Sequence, residues 1–164
     1  MVLWSVVTLM GLTLAYAVIG GVFLAFSDFI MRALRLTSGT GGVEAMQIIN
    51  QEVFYWVFMV LFIGLAPVSL GVLWYASTAL TGAGATLLQA SAVSYLVGVF
   101  GVTVAQNVPM NTTLGNMDLV AESTVQYWVT HYVPNWTLWN SVRTGASILA
   151  SGLCLTGLVV LLMA

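Results

Sequence analysis

The sequence predicts an all-α fold: a four-helix transmembrane bundle with a short interfacial helix between the third and fourth crossings. Three observations carry this reading. Hydrophobic residues make up 60% of the chain and charged residues only 5%, with a mean hydropathy of +1.04, whereas soluble domains carry roughly 25% charged residues. The 164 residues contain four apolar runs of the length, about 20 residues, that a helix needs to cross a hydrocarbon layer of about 30 Å. The charges gather in the connections after the first and third crossings, which four crossings place on one side of the membrane. They therefore mark one edge of the bundle, because a charge at the bilayer centre costs roughly 2.5 to 3.5 kcal/mol on insertion scales.

The whole chain, 1–164, reads as one integral membrane domain. The first crossing covers about 2–27, where no charge interrupts Val2 to Ser27 and no basic segment marks a cleaved signal peptide. Ala17, Gly21 and Ala25 recur four apart, the spacing that lets membrane helices approach closely. The stretch from Thr37 to Gly42, with three glycines and three hydroxyl residues, is a turn. A second helix starts near Val43, with Glu44 at the positive end of its dipole, and runs into a crossing at about 53–76 that Pro67 bends without breaking. A turn at 77–85 leads to a third crossing at about 86–106, in which Ala90, Ser94 and Gly98 repeat the small-residue spacing. Asn107, Val108 and Pro109 end it, since a proline pushes the residue before it away from the α region.

The segment 107–143 is the polar interfacial part. Asn116 or Asp118 caps a helix over about 119–132, too short and polar to cross. Beyond Pro134, Asn135 caps the last helix, whose crossing covers about 144–163.

Several functions are excluded or disfavoured by composition. The chain has no lysine, a net charge of -2 and three scattered arginines, Arg32, Arg35 and Arg143, so it offers no footprint for phosphate backbones, and nucleic acid is not an expected partner. The single cysteine, Cys154, forms no intrachain disulfide and reads as a small buried hydrophobe. One histidine, one cysteine and no Glu-x-x-His pair leave too few ligands for zinc or a di-iron bundle, so no metal and no cofactor are expected. The expected partners are the lipid bilayer, a hydrophobic small-molecule substrate, and either further copies of the chain or a larger membrane complex. The positive-inside rule, resting here on three arginines, turns the charged edge toward the cytoplasm.

Candidate chemistry concentrates in 107–143. Trp128, His131 and Tyr132 fall at i, i+3 and i+4, and Trp136, Trp139, Asn140 and Arg143 at i, i+3, i+4 and i+7. A guanidinium at the mouth of an apolar helix pairs with a carboxylate such as Glu52, Asp118 or Glu122, snorkels, or holds an anionic or enolate-like oxygen. Asn140 either orients a carbonyl or closes a helix end. His131 is either a general base for a weakly acidic C–H or a solvated structural group.

Four stretches carry a resemblance: FLAFSDFIMRAL at 23–34, AMQIIN at 45–50, NVPMNTTL at 107–114, and W-x-x-W-N-x-x-R from Trp136 to Arg143. Their ordered combination resembles the anthrone oxygenase-like family of small integral membrane proteins. The resemblance implies a four-helix membrane protein, set in a bacterial inner membrane like the family's bacterial members. Its fungal relatives oxidise polyketide anthrones to anthraquinones with molecular oxygen and have no firmly assigned metal or cofactor. It implies a shared site at Ser27, Met31, Gln47, Asn50, Asn107, Pro109, Asn111, Trp136, Asn140 and Arg143. With the aromatic face of Trp128, the expectation is a cofactor-independent oxygenase with His131, Asn140 and Arg143 catalytic and the others lining the substrate. The alternative is a non-catalytic small subunit of a larger membrane complex.

Overall fold

A computed structural model describes residues 3–164; Val2, where the first crossing was expected to begin, lies outside them. Among the described residues the chain is all-helical, with five helices and no strand. Four are long and apolar enough to cross a membrane: α1 (Leu3–Arg35), α3 (Val57–Thr78), α4 (Gly82–Gly115) and α5 (Glu122–Met163). The fifth, α2 (Gly41–Glu52), is short and continues into a 3-10 turn at Val53–Tyr55. The long helices are apolar on their outer faces too: Met10, Leu14, Val60, Leu70, Val97 and Ile148 are all exposed. A helix hydrophobic all round is the pattern of a membrane span.

Helix α5 packs along both α1 and α4, and α3 packs along α4, while α1 and α3 touch only lightly. The seam between α1 and α3 is thus the loosest in the bundle. Its core is built on Tyr16, Ile19, Leu88, Tyr95, Val99, Ala150 and Cys154, all fully buried. Hydrogen bonds join the helices inside it. The hydroxyls of Tyr16 and Ser69 lie 2.6 Å apart, Tyr95 donates to the Phe62 carbonyl at 2.7 Å, and Ser91 donates to the Ala150 carbonyl at 2.7 Å. Such bonds matter where lipid supplies no hydrophobic drive between helices. Cys154 occupies the buried position its surroundings implied, with Sγ 3.6 Å from the Leu9 carbonyl.

Close helix approach occurs, but largely at other residues than the predicted stripes. On α1 the contact is made by Gly20, where an added Cβ would sit 3.0 Å from Ser147, whereas Gly21 has nothing within 4 Å and Ala17 is exposed. The face carrying Leu12, Tyr16 and Ile19 turns toward the core and carries Gly20 with it. On α4 Gly98 lies in a tight contact, where an added Cβ would come within 2.6 Å of the Ala146 Cβ, while Ala90 is exposed.

Two prolines expected to end helices do not. Pro109 and Pro134 are each preceded by a π-helical turn, Thr103–Asn107 and Trp128–Tyr132, and both helices continue through. Proline lacks an N–H and its ring crowds the carbonyl four residues earlier. Here those carbonyls belong to Ala105 and Thr130, inside the widened turns, which relieves the clash. Pro67 sits inside α3 without interrupting it, as expected. The segment expected as a separate helix at 119–132 is the beginning of α5. The chain breaks instead at Trp56, whose backbone is extended (φ -121°, ψ 169°), so the short helix lies between the first two long helices. It is reached through a turn with Gly39 at φ +59°, and Gly42 packs so tightly that a Cβ there would overlap the Leu34 carbonyl.

The π turns make α1, α4 and α5 long, 33, 34 and 42 residues. At 1.5 Å per residue they reach about 50 to 63 Å, well past a hydrocarbon layer of about 30 Å. Their ends project on the polar side and hold a second core of Met31, Val43, Met46, Leu114, Trp128 and Tyr132, covered by α2.

Gly98→Val is expected to lower stability by about 1 to 3 kcal/mol through overpacking against Ala146, while Gly21→Val leaves it nearly unchanged. Thermal melting of both variants in the same detergent checks this.

Candidate functional site

Where the two cores meet, all five helices surround a cavity of about 530 Å³. Its walls are aromatic, with Phe23 and Phe26 from α1, Phe58 and Phe62 from α3, and Trp136 from α5. A few polar groups interrupt them: Gln47 and Asn50 from α2, Thr103 and Asn111 from α4, and Arg143 from α5. Exposed Gln51, Glu52, Phe54 and Trp56 form the rim. Both volume and lining match the usual small-molecule site, apolar with a few directing polar groups.

Arg143 is the centre of this site. It is only 5% exposed. One terminal nitrogen, Nη2, donates to Asn140 Oδ1 at 2.6 Å and the other, Nη1, to Thr103 Oγ1 at 3.3 Å. Nε is buried with no acceptor. The guanidinium carbon lies 4.2 Å from the centre of the Phe23 ring and 5.3 Å from that of Trp136, within cation–π range. Its hydrogen-bond partners are therefore both neutral. The carboxylate pairing considered above is not formed: Glu122 begins α5 more than five turns away, Asp118 is exposed in the preceding loop, and Glu52 stands on the rim. Of the five N–H donors of a guanidinium two are used and Nε is buried, which leaves one on each terminal nitrogen for a ligand.

Asn140 is fully buried and holds this arginine in place. Its Nδ2 donates to the Phe23 carbonyl and to Ser27 Oγ, both at 2.6 Å, while its Oδ1 accepts from Arg143. Both its N–H donors go to α1 and its oxygen accepts from α5, it does not line the cavity, and its role is to position Arg143. Asn111 does the same for the aromatic wall, its Oδ1 accepting from the Tyr132 hydroxyl and from Trp136 Nε1, both at 2.8 Å. Asn50 Nδ2 donates to the Tyr132 hydroxyl at 3.3 Å. Gln47 Nε2 donates to the carbonyls of Leu114 and Met117 at 2.8 and 3.1 Å, which satisfies acceptors left open where α4 ends. Asn107 is buried, with Nδ2 donating to the Trp136 carbonyl at 3.3 Å and Oδ1 without a partner.

The structure thus brings Gln47, Asn50, Asn111, Trp136 and Arg143 to one cavity. Ser27, Asn107 and Asn140 stand outside its lining. Met31 and Trp128 pack in the second core, Trp128 stacked on Tyr132 at 5.3 Å, and Pro109 is exposed. His131 is also exposed and outside the cavity, its ring stacked on Tyr127 at 5.1 Å and its backbone carbonyl bonded by Asn135 at 2.8 Å. The continuous α5 turns Trp128, Tyr132 and Trp136 inward, which leaves His131 facing out. Thr103, Phe23, Phe58 and Phe62 were missed. Thr103 carried a faint signal, four residues before Asn107 in an otherwise apolar run; the phenylalanines carried none, since aromatics in such a chain are ordinary. Among the described residues no three His, Cys, Asp or Glu side chains come together as metal ligands.

Fold and site define a small all-helical protein, with four helices of membrane-crossing length, that encloses an aromatic cleft with one buried cation in its wall. The chain belongs to the anthrone oxygenase family, whose family model matches residues 51–153. That stretch takes in α3, α4 and most of α5, including Thr103, Asn111, Trp136, Asn140 and Arg143. Neither the curated proteins nor the solved structures yield a match.

Asn140→Ala strips Arg143 and the Phe23 carbonyl of a partner. Each buried group left unsatisfied costs about 1 to 3 kcal/mol, so the variant is expected to melt well below the wild type in detergent, whereas Asn50→Ala, which removes one 3.3 Å bond, shifts the midpoint little.

Proposed function

We propose that this protein is a multi-pass integral membrane oxidoreductase that uses O2 to oxidise a hydrophobic aromatic, anthrone-like substrate held in the cleft. The observation that carries the reading is Arg143, a buried guanidinium with neutral partners and spare donors in the wall of an aromatic cavity. Membership of the anthrone oxygenase family supports this reaction class. In this reading a planar polycycle lies among the cavity-lining rings of Phe23, Phe58 and Trp136 with its carbonyl oxygen toward Arg143. Loss of a proton from the ring carbon opposite that carbonyl places negative charge on the oxygen, where the guanidinium holds it. Donors preorganised where charge develops are the strongest catalytic device a dry site has.

Glu52, the one carboxylate lining the cavity, replaces His131 as the proposed proton acceptor. The enolate passes one electron to O2, giving a substrate radical and superoxide, and these combine to form a C–O bond. The resulting peroxide loses water as its O–O bond breaks, leaving a second carbonyl. The balance is one CH2 and one O2 converted to one C=O and one H2O, with no outside reductant. A purely scaffolding subunit would leave a buried, unpaired arginine facing a cavity without explanation.

In this reading the substrate enters from lipid through the loose seam between α1 and α3. Helix α2 and the first turns of α5 lie at or above the membrane interface, with exposed Phe54 and Trp56 in the aromatic belt. The arginine-bearing end faces the cytoplasm of a bacterial inner membrane.

Purified protein supplied with an anthrone in detergent is expected to form one anthraquinone per O2 consumed, followed by quinone absorbance and an oxygen electrode. Arg143→Gln is expected to lose about 10²- to 10³-fold in turnover, the size seen on removing an oxyanion donor, and Glu52→Gln to be strongly impaired, while His131→Ala stays within about twofold of the wild type on the outward-facing reading. Wild-type turnover by a folded Arg143→Gln would overturn the reading.

A further inference from the structure

A second cleft, of about 290 Å³, lies on the other side of α1, between its last turns and the stretch of α5 that follows Pro134. We propose that it binds the phosphodiester headgroup of an anionic phospholipid. The inference is independent of the oxidation chemistry, since the first cavity shares no lining residue with this one.

Its polar lining is cationic and donor-rich. The chain has three arginines and no lysine, yet two of the three, Arg32 and Arg35, stand one turn apart in this cleft. Both are exposed, and the negative end of the α1 dipole favours cations there. No carboxylate lines the cleft; Asp28, one turn before Arg32, is outside it. Facing the arginines is Thr137, whose Oγ1 is buried without a hydrogen-bond partner. Ser147 Oγ in the bundle core shares this state, whereas Thr13, Ser77, Thr112, Thr130 and Thr144 each bond back to the carbonyl four residues earlier. A phosphate oxygen bridging Thr137 to the guanidiniums would satisfy it.

The remaining lining selects a lipid over a free ion. Met31 and Leu138 give the cleft an apolar half, and exposed Leu138 and Val142, four apart on α5, extend it toward the membrane-crossing part of the helix. A free phosphate gains nothing from such surface; the glycerol and first acyl carbons of a phospholipid do. The level is also right, since Arg32 and Arg35 follow the long uncharged run that ends at Ser27, where a headgroup would lie. Basic pockets between helices are a known form of lipid recognition.

The test is native mass spectrometry of delipidated full-length protein in mild detergent, titrated separately with phosphatidylglycerol, phosphatidylcholine and inorganic phosphate. The wild type is expected to retain phosphatidylglycerol in preference to phosphatidylcholine. The Arg32→Gln/Arg35→Gln double variant should bind phosphatidylglycerol about thirty-fold more weakly, from about 1 kcal/mol or roughly fivefold per basic residue, and Thr137→Val should weaken it by a smaller factor without losing helicity. Equal retention of the two lipids, unchanged phosphatidylglycerol binding by both folded variants, or displacement of the lipid by inorganic phosphate at equal concentration would overturn the proposal. Should the double variant fail to fold, unchanged binding by Thr137→Val overturns it alone.

Discussion

The amide of Asn140 is the joint on which this structure depends. It donates to a main-chain carbonyl of α1 and to Ser27, and accepts from Arg143 on its own helix. A charge removed from water costs several kcal/mol even after relaxation, and here no carboxylate offsets it. What offsets it is a neutral set: one amide oxygen, one threonine hydroxyl on α4 and the faces of Phe23 and Trp136. Three long helices are thereby held in register at the level where the two cores meet. The guanidinium keeps positive charge exposed to the cavity because none of its partners carries a negative one.

The same level is where the helices depart from regular geometry. Widened turns occur at Phe26–Ile30 on α1, at Leu96–Gly101 and Thr103–Asn107 on α4, and at Trp128–Tyr132 on α5. Each adds a residue to a turn and so rotates everything beyond it by about 100° relative to an ideal helix with 3.6 residues per turn. The two before Pro109 and Pro134 admit prolines, and the one on α1 lies beside the Phe23 carbonyl that Asn140 occupies. Insertion of a side chain into the helical ladder is a recognised cause of such irregularity. Beyond these turns Thr103, Asn111 and Trp136 line the cleft, and the helices carry on to build the second core.

Most of the scaffold was legible in the residues. Apolar runs of crossing length, the turn around Gly39, passage through Pro67 and a buried Cys154 all follow from local composition, because membrane-length hydrophobicity is a strong signal and a positive φ favours glycine. The site was legible only in part. Arg143, Trp136, Asn111, Asn50 and Gln47 were picked out because polar groups are scarce in such a chain. His131 was grouped on one face with Trp128 and Tyr132 of a regular helix ending before Pro134, whereas the widened turn at Trp128–Tyr132 leaves those two aromatics buried and His131 exposed. The small-residue stripes misled for a related reason, since Gly20 and Gly21 are adjacent and only packing decides which of them meets Ser147.

By itself, then, the amino-acid order determined the number of long apolar helices, the end of the bundle where charges collect, and the short roll of residues capable of polar chemistry. Those properties are sums over local free energies of transfer, and each segment carries its own. Only the tertiary structure decided that Arg143 goes without a carboxylate, that Asn140 braces it from outside the cavity lining, that the short helix precedes α3, and that residues of all five helices line one cleft. These depend on helix phase and on which neighbour fills a buried valence, and a few degrees of rotation or one inserted residue in a turn change both.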